Sequence, residues 1–212
     1  MKLQHYRCKG TAAKLNLALD SLPAFTALQK SADANAALAG RIHIGPGIDY
    51  LERAFDDSKY GDFSRAPYLD VAIPSILDNS LAPAGKHVMS VYMQFAPYQL
   101  KQGDWAQQRE ALAETIVKTL AAYAPDLPGK ILARQMLTPK DLEETYGLTG
   151  GHPCHGELAL DQLFTMRPLL GWARYRTPVK GLYLCGSGTH PGNGLTGASG
   201  ANAAREILKD LR

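Results

Sequence analysis

The chain has 212 residues, 45% of them hydrophobic and 20% charged, with a formal net charge of +3. That length and balance fit one or two globular domains with a real core and exclude a disordered or fibrous protein. A charge of +3 without a dense lysine and arginine run gives no basis for nucleic-acid binding.

No apolar stretch approaches the ~18 residues that crossing a bilayer requires, so no transmembrane segment is expected. The opening MKLQHYRCKGTAAK lacks the apolar core of a secretory signal. Cys8, Cys154 and Cys185 are odd in number and form no C-x-x-C. That favours reduced thiols in a reducing compartment, the cytoplasm of a bacterium or the mitochondrial matrix of a eukaryote.

The elements follow in order. Residues 14–19 (KLNLAL) alternate polar and apolar side chains and predict a half-buried strand that ends before Pro23. The alanine-rich segment from Ala32 to Gly40 reads as a short helix or a loop, and 41–44 as a second strand closed by Gly45-Pro46-Gly47. Ile48, Leu51, Ala54 and Phe55 fall at helical spacing. Residues 68–73 predict a strand stopped by Pro74, and 87–95 (HVMSVYMQF) the clearest strand of all. Asp104 reads as an N-cap for the longest helix, 105–123, whose apolar face carries Leu112, Ile116, Leu120 and Tyr123. Residues 131–137 give another strand, and Thr138-Pro139 opens a short helix. The pattern predicts an α+β fold, a mixed, largely antiparallel sheet with flanking helices.

Residues 181–205, GLYLCGSGTHPGNGLTGASGANAAR, read as strand, glycine loop and helix. Such a turn brings backbone amides to a ligand without side chains in the way and aims a helix N-terminus at anionic groups. The small residues Gly197, Gly200, Ala201 and Ala204 share one helix side, suited to close packing on a sheet or flat ligand. Gly192, Gly194 and Gly197 match G-x-G-x-x-G formally. The chain ends at Arg212, however, before the second strand and the acidic residue of a dinucleotide unit. A glycine loop that merely packs tightly is the bland alternative.

The same stretch resembles the C-terminal flavin motif of phytoene-desaturase-like FAD oxidoreductases. Residues 13–19, 42–46, 68–75 and 155–164 also resemble that group, so the likeness covers essentially the whole chain. It implies FAD as cofactor, with Gly186, Ser187, Gly188, Gly194, Leu195, Thr196 and Gly197 binding it. It also implies a partial substrate domain over 1–165 and an FAD-binding segment over 166–212. The Rossmann half that such enzymes carry is expected to be missing or to lie on a separate chain.

Several clusters hold possible chemistry. Residues 150–157 (GGHPCHGE) could be a metal site, a turn with exposed imidazoles, or a loop at the flavin face. His-x-Cys-His is not a zinc spacing, so no metal is expected. The resemblance carries over His155 and Glu157 alone as the flavin-facing pair. At 152–154 the chain has His-Pro-Cys where relatives more often have Asn, an aliphatic and Phe. Arg167 and Trp172 either pack an ordinary loop or line a cavity near the ring. No Ser-His-Asp, paired-carboxylate or phosphate-loop arrangement emerges.

The reading is therefore part of an FAD-dependent oxidoreductase that moves hydride between a small apolar substrate and FAD. The chain alone is expected to be inactive, and apolar surface at 182–184 would favour a homo-oligomer. The alternatives are a non-catalytic α+β binding or scaffold module and one half of a split flavoenzyme.

Overall fold

The computed structural model describes residues 2–30, 33–192 and 194–212. Ala32 in the alanine-rich segment and Asn193 in the glycine run lie outside them. The chain divides into two compact units, Thr11–Tyr146 and a second that joins residues up to Gly10 with Gly147–Arg212.

Alternation builds the first unit. β1 (Ala12–Leu19) buries Leu15, Leu17 and Leu19 on one face and leaves Lys14, Asn16 and Ala18 half-buried on the other. After α1 (Ala34–Leu38) come β2 (Arg41–Ile44), α2 (Ile48–Lys59), β3 (Tyr68–Ala72) and β4 (His87–Gln94). Then follow α3 (Trp105–Ala121), α4 (Leu127–Lys130), β5 (Ile131–Leu137) and α5 (Pro139–Tyr146). The five strands form one sheet in the order β2-β3-β4-β1-β5, antiparallel at every ladder.

Register follows from burial. Leu17 sits opposite Met89, Leu15 opposite Val91, and Leu69 opposite Met93, so apolar side chains meet across neighbouring strands. A slip of one residue would turn every one of them to the other face. α3 covers this face with Leu112, Ala113, Ile116, Val117 and Leu120, all in the same core. Its start is fixed where the sequence places it, since the Gln107 N–H donates to the Asp104 carboxylate at 2.9 Å. Trp105, buried behind that cap, donates its indole N–H to the carbonyls of Pro97 and Tyr98, each at 3.2 Å. α5 opens with reciprocal bonds. The Asp141 N–H donates to Thr138 Oγ1 at 3.2 Å and the Thr138 N–H to Asp141 Oδ2 at 2.8 Å.

Turns dominate the second unit, and its one long element is α6 (Ala198–Asp210). The strand expected at 181–185 does not form. One bridge joins Arg176 and Tyr183, backed by Leu184 N–H to Tyr175 O at 2.8 Å and Thr177 N–H to Leu182 O at 3.1 Å. An apolar run becomes a buried strand only with ladder partners along its length. Here Leu182 and Leu184 stay 51% and 43% exposed. α6 packs through Ser199 and Ala203, while Gly197, Gly200, Ala201 and Ala204 lie exposed on the opposite side. The close packing expected of that small-residue side is not made within this unit. Instead α6 is tied down from its C-terminal end. Arg176 donates to both Asp210 oxygens at 2.8 Å and to the Glu206 carboxylate, and the Tyr183 hydroxyl donates to Asp210 at 2.6 Å.

Leu17→Ala should remove about 2–5 kcal/mol of stability, because a fully buried side chain leaves a cavity on the central strand. Asn16→Thr, on the half-buried face next door, should cost under about 1 kcal/mol; urea unfolding of both variants checks the contrast.

The Asp210 carboxyl is held down to about 2 from an ordinary 3.8 by Arg176 first and the Tyr183 hydroxyl second. A depressed carboxyl pKa means that the charged contact is intact above the ordinary value and is lost as pH falls from about 4 towards 2. Carboxyl-carbon NMR should give Asp210 a midpoint near 2, and Arg176→Gln should bring it back towards 3.8.

Candidate functional site

Arg167 is the centre of the second unit. It is 0% exposed, yet it makes no ion pair among the described residues. Its guanidinium donates only to backbone carbonyls: Ser187 O from Nε at 3.1 Å and from Nη2 at 2.9 Å, with Cys154 O as a further close partner of Nη2. Weaker contacts from Nη1 reach Glu157 O and Gln162 O, each at 3.5 Å. One side chain therefore joins the 154–162 loop to the 186–189 turn.

That turn is closed on itself. The Thr189 N–H donates to Gly186 O at 3.0 Å, and the buried Thr189 hydroxyl donates to the same carbonyl at 2.9 Å. The central amides, Ser187 N–H and Gly188 N–H, have no hydrogen-bond partner among the described residues. A Cβ on Gly186 would meet nothing within 4 Å, and one on Gly188 would lie 3.6 Å from His155 Cβ. The turn is not packed over at either glycine.

Residues 6–10 hold the 150–162 loop. The Gly10 N–H donates to Gly150 O at 2.8 Å, and a Cβ on Gly150 would run into Cys8 O. The Tyr6 hydroxyl donates to His155 O at 3.0 Å and leaves no room for a side chain on Gly156. Arg7 donates to Glu157 Oε2 at 2.7 Å and grips both Asp161 oxygens at 2.9 and 2.6 Å. His155 itself adopts a left-handed backbone at φ 54°, rare outside glycine and common at functional loops.

These pieces line a shallow, open cavity of about 290 Å³ formed by Tyr6, His155, Pro168, Leu184 and the stretch 185–189. The structure thus brings His155 together with Gly186, Ser187 and Gly188. Glu157 is absent from that lining and is engaged by Arg7 instead. Gly194, Leu195, Thr196 and Gly197 are exposed and lie outside it. Gly194 and Gly197 have positive φ, 106° and 70°, and Thr196 Oγ1 accepts the Ala198 N–H at 3.2 Å where α6 begins. Tyr6, Pro168 and Leu184 also line an adjoining apolar cavity of about 230 Å³ with Leu3, Leu169 and Trp172. A wider groove of about 1200 Å³ along α6 is lined by Arg174, Arg176, Arg205, Lys209 and Arg212 among others, and by none of the glycine-turn residues.

Burial pushes the thiols of Cys154 and Cys8 up, against the opposing pull of Arg167. Neither is a thiolate near neutrality, so a reactive cysteine in this loop has no support. Burial likewise lowers His152, with Glu157 opposing the shift. Sequence patterns missed Tyr6 and Arg7, because nothing local marks residues whose partners lie some 150 positions away. The donor set, two amides without a described partner in a threonine-closed turn held by a buried cation, fits an oxygen-rich anionic group of the kind FAD carries.

No protein-family profile matches the chain. Pyridine nucleotide-disulfide oxidoreductase domain-containing protein 2 of Rattus norvegicus is 42% identical over 204 residues, covering 94% of this chain and 35% of its own length. One subunit of the limonene dehydrogenase of Castellaniella defragrans is 34% identical over 54% of the chain and 21% of itself. A 4,4'-diapophytoene desaturase of Staphylococcus aureus is 30% identical over 71% of the chain and 31% of itself. An oxidoreductase structure from Methanosarcina mazei aligns with 98% of the chain and 35% of itself, at 17% identity and a TM-score of 0.48. The chain spans about a third of the length of the first of these relatives. It is homologous to the first of these relatives over nearly all of its own length and to the desaturase over 71% of it, and it belongs with the phytoene-desaturase-like oxidoreductases that include pyridine nucleotide-disulfide oxidoreductase domain-containing protein 2.

Proposed function

We propose that the chain forms the cofactor-facing and substrate-facing part of an FAD-dependent oxidoreductase acting on a small apolar substrate. The observation that carries this reading is the 186–189 turn, which lines a cavity, has two amides without a described partner and is held by a buried cation. FAD, when bound, supplies the hydride chemistry; the protein supplies position and electrostatics.

Ser187 and Gly188 hold an oxygen-bearing part of the cofactor through backbone N–H groups, and Gly186, whose own N–H meets Thr189 Oγ1 at 3.4 Å, leaves space beside them. Gly194, Leu195, Thr196 and Gly197 lie at the start of α6, where the helix dipole favours negative charge. His155 flanks the cavity, and Glu157 supports it at one remove through Arg7. The apolar cavity beside Tyr6 and Trp172 suits an apolar substrate, as do relatives named for limonene and diapophytoene. In this reading 1–165 supplies most of the substrate domain and 166–212 most of the flavin contacts, both cavities draw residues from each, and the remaining FAD contacts come from a Rossmann half.

Titration of FAD with the chain, followed by flavin fluorescence, should give a Kd between about 1 μM and 1 mM, since part of the cofactor's contacts are made elsewhere. Gly188→Val should fold, because a Cβ there has ordinary clearance, but the branched side chain would fill the cavity. Its FAD affinity should drop at least about tenfold at unchanged melting temperature. Equal affinity in the variant, or no quenching by the parent chain at about 1 mM, overturns the reading.

A further inference from the structure

The buried guanidinium of Arg167 does more than fill space. Nε and Nη2 both hold Ser187 O, so the carbonyl of the 187–188 peptide is pinned towards Arg167. In a trans peptide the N–H points opposite to the C=O. The Gly188 N–H therefore points away from the guanidinium, and it sits on the turn that lines the Tyr6–His155 cavity, to which Arg167 contributes no surface. No described residue accepts it. The same guanidinium holds Cys154 O, which fixes the His155 side of that cavity to the turn.

An arginine is suited to this. Its planar fork holds two or three carbonyls in a fixed relation, which the single point charge of lysine does not. A guanidinium that formed an ion pair would be neutralised. Among the described residues this one meets only carbonyl dipoles, so its charge still favours an anion nearby.

We propose that Arg167 is a positioning residue: by pinning Ser187 O it aims the Gly188 N–H into the Tyr6–His155 cavity as a donor to an anionic oxygen of the ligand. The flavin reading enters only through the ligand's identity. The oxygen belongs either to the diphosphate of FAD or to the carbonyl edge of its ring.

The test uses nitrogen-15 NMR of the whole chain titrated separately with inorganic pyrophosphate, riboflavin and FAD. The Gly188 amide resonance should shift with FAD and with one of the partial probes: pyrophosphate if the diphosphate binds, riboflavin if the ring edge does. Arg167→Met keeps length and loses charge and fork, and should weaken that response at least about tenfold. Arg167→Lys keeps the charge but not the double hold on Ser187, and should restore only part of it. A purely structural role would not separate the two variants at matched melting temperature.

A Gly188 resonance that no probe moves overturns the proposal, as does an undiminished response in either folded variant. If neither variant folds, the parent chain decides. The Arg167 Nε–H resonance must then move together with Gly188, and movement of Gly188 alone overturns the proposal. An Arg167-dependent response to pyrophosphate without any FAD binding would sustain Arg167's role and sink the flavin reading.

Discussion

The second unit depends on one buried cation. Removing a guanidinium from water costs several kcal/mol unless its donors are met. Arg167 meets that cost with carbonyls of Ser187 and Cys154, and at longer range Glu157 and Gln162, none of them charged. The donors form a rigid planar fork, so the segments that supply those carbonyls must arrive at fixed positions. This constraint extends to the chain around them. A Cβ on Gly192, where φ is 91°, would lie 3.3 Å from Arg167 Nε, so glycine answers both a backbone and a space requirement. Tyr6 and Arg7 then close the 154–162 loop from its far side.

The glycines near the site accordingly divide into two kinds. Gly150 and Gly156 allow close packing, against Cys8 and Tyr6 respectively. Gly186 instead borders open space, and Gly188 has ordinary clearance from His155, beside amides without a described partner. Only the second kind has the geometry of a ligand turn. A count of glycines along the sequence cannot separate them, because the distinction rests on what stands opposite each Cα.

The sheet unit was legible in the sequence, and of the second unit only the C-terminal helix was, for a physical reason. In β1 the alternation of Lys14, Leu15, Asn16 and Leu17 records which face is buried, and in α3 Leu112, Ile116 and Leu120 record one helix face. Those signals are local, as are the caps at Asp104 and Thr138. Around Arg167 the determining contacts join residues far apart, such as Arg7 with Asp161 or Tyr6 with His155. No period expresses them. The run 181–185 misled because apolar content alone predicts burial, whereas a strand also needs neighbours for its backbone. His155 and the 186–188 turn came from resemblance rather than from pattern, and Glu157 came with them although its carboxylate is committed to Arg7.

α6 shows the same separation between what holds the unit together and what it presents. Its anchoring side is polar and well partnered: Ser199 donates to His190 O at 3.2 Å, Asn202 donates to the Tyr175 hydroxyl at 2.9 Å, and Arg176 clamps Asp210. None of this requires small residues at 197, 200, 201 and 204. A glycine inside a helix costs about 1 kcal/mol relative to alanine. At Gly200 a Cβ would meet nothing within 4 Å, so no contact within the described chain accounts for that cost. Packing of α6 onto its own unit explains Ala203 and leaves Gly200 unexplained. The glycine there is therefore separable from the fold of this unit, as the Gly188 amide is distinct from the buried charge that holds the carbonyl of its peptide, Ser187 O.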